Sequence, residues 1–300
     1  MKFNQLEAVT AVAEQGSLRA AARHLGMSQP ALTRSIGELE RELGATLFER
    51  RARGMTPTPV GEVFIRRAKV IGSEARRAQE EVSQFLGGDQ GDVEVCLSIV
   101  AHMTLLPNAL PQFQKRYART RLRIVEGAFP AAEPRLRDGS MDFYIGPSPD
   151  RAPSREFAVE KMFDNTRAVF ARRGHPRAKA RSLAELTDEV WATTGITSRA
   201  ESEFAQLFAR HKLQPPQTTI QADSMLSLMT TLMSSDALAI TLRQYSEFPL
   251  TRNALQVIDV KEALPAPSIV LIRRSALPLT PAAEYLADMF RRAAVHYARR

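Results

Sequence analysis

Three hundred residues contain a single cysteine, Cys96. It cannot close an internal disulfide and has no neighbouring ligand with which to build a metal cluster. It lies in an apolar, strand-like run and reads as a small buried hydrophobe, with redox sensing as the other option. No apolar run is long enough to span a bilayer, and no basic-then-apolar leader opens the chain. The expectation is a soluble cytoplasmic protein without membrane contact. A nucleophile elbow, a phosphate-binding loop and a His/Cys cluster are also missing, so no catalytic residue, metal ligand or cofactor site is expected. Nor is positive charge concentrated at the start. The formal net charge is +8 and the pI near 10.0, yet residues 1–60 carry eight Lys/Arg against six Glu, a net of +2. The excess sits at 172–173, 177–181 and 291–300, so charge supports non-specific attraction to polyanions and does not locate a surface.

What is present is a patterned stretch from Leu18 to Leu43. Ser17 is placed to cap a first helix, Gly26 to turn, and Ser28 to cap a second helix that carries Pro30 in its first turn. Leu32, Ile36, Leu39 and Leu43 form an apolar stripe at 4-3-4 spacing. Pro30, Arg34, Gly37 and Arg41 project the opposite way, with Gln29 and Thr33 on the shoulder. An ordinary surface helix shares that periodicity. Small Ala22, turning Gly26 and buried Leu32, in that order, are the positions a helix-turn-helix constrains sterically.

A longer set of residues in register gives a resemblance. Phe3, Leu6, Val9, Gly16-Ser17-Leu18, Ala21-Ala22, Leu25, Ser28-Gln29-Pro30-Ala31-Leu32, Ile36, Leu39-Glu40, Leu43-Gly44, Leu47-Phe48, Arg50, Arg53-Gly54 and Thr58-Pro59-Val60-Gly61 resemble the N-terminal domain of LysR-type transcriptional regulators. The chain's length and layout extend the likeness to its whole length. It implies a mixed α/β protein. Residues 1–58 would form an all-α winged helix-turn-helix, 59–88 a linker and dimerisation helix, and 89–300 an effector-binding domain. That last domain would resemble periplasmic solute-binding proteins, with subdomain I (91–162 and 266–300) and subdomain II (163–265). The implied partners are double-stranded operator DNA, a small effector and further copies in a homodimer or homotetramer; contact with RNA polymerase stays open.

Within this frame Gln29, Thr33 and Arg34 would approach base edges, Arg34 suiting guanine and Gln29 adenine. Ser28, Pro30 and the wing arginines Arg50, Arg51 and Arg53 would lie along the backbone, although an arginine on a loop can also be simply solvated. From Pro59 a long helix carries Phe64, Ala68, Ile71, Ala75, Ala78, Val82 and Phe85 at alternating 4-3 spacing, flanked by Arg66, Arg67, Arg76, Arg77, Glu80 and Glu81. This is the pattern of a self-association seam. The run 87–91 reads as a hinge-like linker.

From Asp92 strand-like and helical runs alternate, the mark of parallel α/β sheets. Ligands in such sheets collect at the carboxyl ends of strands beside helix N-termini. Ser98, His102, Met103 and Thr104 occupy one such link, and Thr194, Gly195 and Ser198 a second. Ser224 occupies a third, with Asp223 read as the cap there, and Phe129-Pro130 could supply an apolar wall. A serine or threonine before a helix also serves as a plain cap. The segments 76–81, 134–139 with Asp142-Phe143, and 279–283 are similar to regulators of toluenesulfonate degradation, which implies an organic anion, or an aromatic, as effector. The residues leave open whether the protein activates or represses. An enzyme on the α/β body and a solute-binding module are the competing classes. The first lacks catalytic motifs, and the second is opposed by the intact Ser28, Gln29, Thr33 and Arg34.

Overall fold

The computed structural model describes residues 1–51, 54–194, 200–249 and 251–298. Helices α1 (Phe3–Gln15), α2 (Leu18–His24) and α3 (Gln29–Leu43) open the chain. The hydroxyls of Ser17 and Ser28 accept the N–H groups of Ala20 and Ala31, capping α2 and α3. Leu32, Ile36 and Leu39 bury with Val9, Val12, Ala21 and Ala22 in one core. Leu43, expected to complete that stripe, is 41% exposed. The helix ends at once in left-handed Gly44, so its last turn projects past the core.

The strands β1 (Phe48–Arg51) and β2 (Gly54–Pro57) pair antiparallel as a hairpin. The Glu40 carboxylate anchors it to α3 by accepting the N–H of Leu47 at 2.6 Å. Gly54 has φ +125°, and a side chain there would overlap the Gly16 carbonyl oxygen, to whose position Met55 N–H donates at 2.8 Å.

Thr58 caps α4 (Pro59–Phe85) by accepting the N–H of Gly61 at 2.9 Å. The first half of α4 rests on α1, with Ile65 and Ala68 buried and Lys69 paired to Glu14 at 2.9 Å. Its second half rests on the C-terminal body, and here two expectations fail. Arg77, read as flanking a seam, is buried against that body. The 87–91 run is no loose linker: the Gln84 amide spans it, donating to Gln90 O at 3.1 Å and accepting Ala282 N–H at 2.9 Å. Of the seam positions, Ala68 is taken up by α1, while Ile71, Val82 and Phe85 remain exposed together with Val60 and Val63.

In the body, β3 (Gln90–Leu97), β4 (Arg119–Glu126) and β5 (Phe143–Pro147) run parallel. Their connections hold α5 (Ile99–Thr104), α6 (Leu106–Arg116) and α7 (Phe129–Arg137). The sequence suggests separate strands at 159–163 and 167–171; the structure has one, β6 (Phe157–Arg172). After it come β7 (Trp191–Thr194), α8 (Ala200–Arg210), β8 (Thr218–Ala222), α9 (Met225–Ser234), β9 (Ala239–Leu242), β10 (Leu255–Ile258), β11 (Pro265–Arg274) and α10 (Pro281–Ala298). The near half of β6 pairs with β11, and its far half with β9 and β10, so β6 and β11 carry the chain between two halves of the body. β7 and β8 pair in parallel beside the second half. Apolar clusters lie on either face of each half: β3, β5 and β11 against α6 and α10, and β6 and β9 against α9. The expected architecture, a helical DNA-binding type domain followed by a two-part α/β body, is the one found. No helix among the described residues is long and apolar enough to cross a membrane.

Candidate DNA-reading face and effector cleft

The N-terminal half of α3 presents Ser28, Gln29, Pro30, Thr33 and Arg34, all exposed, on the side opposite buried Leu32 and Ile36. Thr33 Oγ1 donates to Gln29 O at 2.9 Å, which fixes its rotamer and leaves the oxygen free to accept. The Arg34 side chain is 82% exposed and leans on Glu38 at 3.5 Å. An exposed i,i+4 pair contributes roughly 0.3–0.5 kcal/mol, so the guanidinium is easily released to another acceptor. On β1, Arg50 and Arg51 are exposed, with Arg51 Nη2 held 3.2 Å from Glu49 Oε2. Arg53 lies outside the described residues. The N-terminal end of α3 thus exposes amide, hydroxyl and guanidinium groups, and the hairpin that follows exposes two arginines.

The second candidate region lies where α5 of one half meets the 3-10 turn Arg243–Ser246 of the other. The sequence places Ser98 to Thr104 on a loop. They form the short helix α5 instead, because the Ser98 hydroxyl accepts Ala101 N–H and nucleates it at once. Thr104 Oγ1 is committed to Val100 O at 2.8 Å. His102 Nδ1 lies 3.0 Å from Ser98 O, a carbonyl that can only accept, so Nδ1 is the donor of that bond. Met103 and Ile99 pack on the cluster of the second half that contains Phe170, Leu228 and Tyr245. Thr194 is half-buried at the end of β7; Gly195 and Ser198 lie outside the described residues.

Two expectations about this region are corrected. Phe129 is no cleft wall: it is buried, with its ring edge-on to Tyr144 and Phe157 at 5.7 and 5.8 Å, and only Pro130 beside it is exposed. Ser224, not Asp223, caps α9, accepting Ser227 N–H at 3.1 Å. The structure adds groups that the sequence did not mark. The hydroxyls of Thr193 and Tyr245 are buried without a hydrogen-bond partner. Such atoms cost about 1–3 kcal/mol each unless something completes them. Gly146 is where β5 passes Ser98, and a side chain there would overlap the Tyr144 hydroxyl.

Two family models cover nearly the whole chain. Residues 3–62 match the bacterial regulatory helix-turn-helix protein, lysR family, and residues 86–295 match the LysR substrate binding domain. The chain belongs to the LysR family. It is a DNA-binding transcriptional regulator with an effector-binding domain, and not an enzyme. Among its relatives is the HTH-type transcriptional regulator GbpR of Azospirillum brasilense, 28% identical over 82% of this chain and 73% of that protein. Full-length OxyR of Pseudomonas aeruginosa has the same fold, with a TM-score of 0.73 and 21% identity over 97% of this chain and 95% of that one. So does full-length CbnR complexed with its target DNA, with a TM-score of 0.66 and 21% identity over 98% of this chain and 100% of that one.

In this LysR regulator the segments similar to toluenesulfonate regulators come together away from the cleft. Arg77 of the first bonds Gly139 and Asp142 of the second, and Gln84 reaches Ala282 of the third. They build the seat of α4, so the likeness carries no information about the effector. Cys96 is 1% exposed, and burial pushes its thiol up to about 11. At pH 8 it stays protonated and is a poor nucleophile. A thiol dye added to the native regulator at pH 8 is expected to leave Cys96 unlabelled and to label it fully in denaturant. Rapid native labelling would mean that the body opens far more often than its packing implies.

Proposed function

We propose that this regulator reads operator DNA as a two-fold pair. Gln29, Thr33 and Arg34 of each copy enter a major groove, while Ser28, Pro30, Arg50, Arg51 and Arg53 lie along the phosphates. The observation that carries this is the exposed face of α3: five polar or slim residues at the helix N-terminus, unencumbered by the packing that buries its other side. The pair forms through the exposed stripe Val60, Val63, Ile71, Val82 and Phe85 of α4, and a second association gives a tetramer. A small organic effector binds between the halves of the body, in reach of Ser98, His102, Met103, Thr194, Gly195, Ser198 and Ser224, and the orphaned Tyr245 hydroxyl favours a ligand that can hydrogen-bond. A cytoplasmic location follows from the DNA target.

Incubating full-length protein with sheared genomic DNA and sequencing the retained fragments tests the reading. The expected result is a motif with two inverted half-sites spaced by about one helical turn or a multiple of it. Retention that follows base composition alone would remove sequence reading by α3 from the proposal.

A further inference from the structure

The described residues where the two halves meet carry negative charge. β4 ends in Glu126, which stands beside Leu97 in the register with β3, next to the Ser98 that starts α5. Glu126 is exposed, and no hydrogen bond or ion pair engages its carboxylate among the described residues. From the other half, the turn Arg243–Ser246 packs on α5 and brings Tyr245 there. The Tyr245 hydroxyl is buried and has no hydrogen-bond partner. Burial, foremost, and then the charge of Glu126 hold its proton well above the usual tyrosine range, so it meets a ligand as an O–H donor. That influence also shows that the carboxylate of one half faces the hydroxyl of the other.

Little stands there to offset the carboxylate. The links 98–104, 127–129, 147–149, 193–194, 223–224 and 244–246 contain no lysine or arginine, and Asp223 adds a second exposed carboxylate. Arg243 opens the turn, but its guanidinium faces Asp259 at 3.8 Å. When two halves close on a ligand, a carboxylate between them loses water, and a buried charge without a partner is strongly destabilising. The ligand must then bring the partner.

We propose that the effector of this regulator is a small organic cation, an amine or amidine with a hydrogen-bond acceptor beside its charge. Its N–H groups bond the Glu126 carboxylate, and its acceptor takes the hydrogen bond of the Tyr245 hydroxyl. This rests on the effector binding between the halves, as proposed above, and adds the sign of its charge. An organic anion, the class implied by the likeness to toluenesulfonate regulators, would meet carboxylates there and no guanidinium.

The field is tested first, in full-length protein carrying Ala128→Cys, a half-buried position just past Glu126. Cys96 stays silent at pH 8, since it is buried with its thiol pushed up to about 11. The new thiol is modified with a cationic (trimethylammonium) and an anionic (sulfonate) methanethiosulfonate, with Glu126 and with Glu126→Gln. The cation-to-anion ratio of rates is expected to be about fivefold higher or more with Glu126, the scale of one charge acting at short range in water. An unchanged ratio would overturn the proposal, because Glu126 would then not set the field that a ligand meets. The ligand is tested next. A small-molecule extract of the cells is split on ion-exchange resins into cationic and anionic fractions, and each is added to the full-length protein while thermal unfolding is followed. The cationic fraction is expected to raise the wild-type midpoint, with the rise lost in Glu126→Gln and reduced in Tyr245→Phe. A rise from the anionic fraction that survives in Glu126→Gln and is lost in His102→Trp would overturn the charge assignment and keep the effector between the halves. A rise that survives in all three variants would place the effector elsewhere and overturn both.

Discussion

Arg34→Ala is expected to reduce operator affinity by about 30-fold to 10⁴-fold while leaving binding to unrelated DNA nearly intact. A bidentate arginine–guanine contact discriminates by roughly 1–3 kcal/mol, and a two-fold pair loses it twice. The guanidinium gives up only its exposed contact with Glu38 to make that contact, so little of the gain is cancelled. The dependence of log K on log salt should change little, since the phosphate-facing arginines of β1 are untouched. Arg50→Ala is the useful comparison: it should weaken all sequences alike and lower the salt slope by about one per copy. Equal losses on operator and random DNA for Arg34→Ala would assign Arg34 to the backbone and remove it from base reading.

The second large effect is expected far from DNA, at Arg77→Met. Arg77 is among the most buried charges of the molecule, and it faces Gly139 O, Asp142 Oδ1 and, at 3.4 Å, Met141 O. Removing one partner of a buried ion pair typically costs about 3–5 kcal/mol, because the other charge is left in a poor solvent. The sign of the pH dependence follows from Asp142. Burial pushes its carboxyl above the ordinary 3.8, and Arg77 is the foremost group pulling it back. Without Arg77 the folded-state value rises further above the unfolded one. A carboxyl raised in this way favours the fold below its unfolded value and loses that contribution as pH climbs through the folded value. Urea unfolding of Arg77→Met should therefore show a smaller deficit against wild type at pH 5 than at pH 8. A deficit under about 1 kcal/mol, or one equal at both pH values, would mean that Asp142 finds another partner.

These two arginines mark how far the sequence could be read. Arg34 was legible because everything that places it is local: Ser28 starts the helix, Pro30 fits its first turn, and Leu32 and Ile36 fix the buried side. Arg77 sits in an equally regular helix, yet its role depends on Gly139 and Asp142, more than sixty positions on. Helical periodicity marks which residues share a face and is silent about which body that face meets. The same distinction separates the rest. The wing's start depends on Glu40 reaching Leu47 and Phe48, and the need for glycine at 54 and 61 on carbonyls of Gly16 and Leu47; the family pattern records those glycines without their cause. β6 is one strand although the polar run Asp164-Asn165-Thr166 interrupts its apolar pattern. In the fold that run is the crossing between halves, with Asn165 Oδ1 accepting from Gln244 Nε2 at 2.8 Å. Ser17 and Ser28 read as caps in the sequence and are caps, whereas Ser98 and Ser224 cap α5 and α9 where the sequence reading puts a loop and Asp223.

Operator reading by α3 and ligand binding in the α/β body are coupled within one chain. Nuclease protection of the DNA just upstream of its own gene, by the full-length regulator with and without a small-molecule extract of the cells, tests this coupling most directly. The expected result is a protected region spanning several helical turns that the extract lengthens, shortens or shifts. Protection identical in both samples, with extract that demonstrably binds the protein, would contradict it.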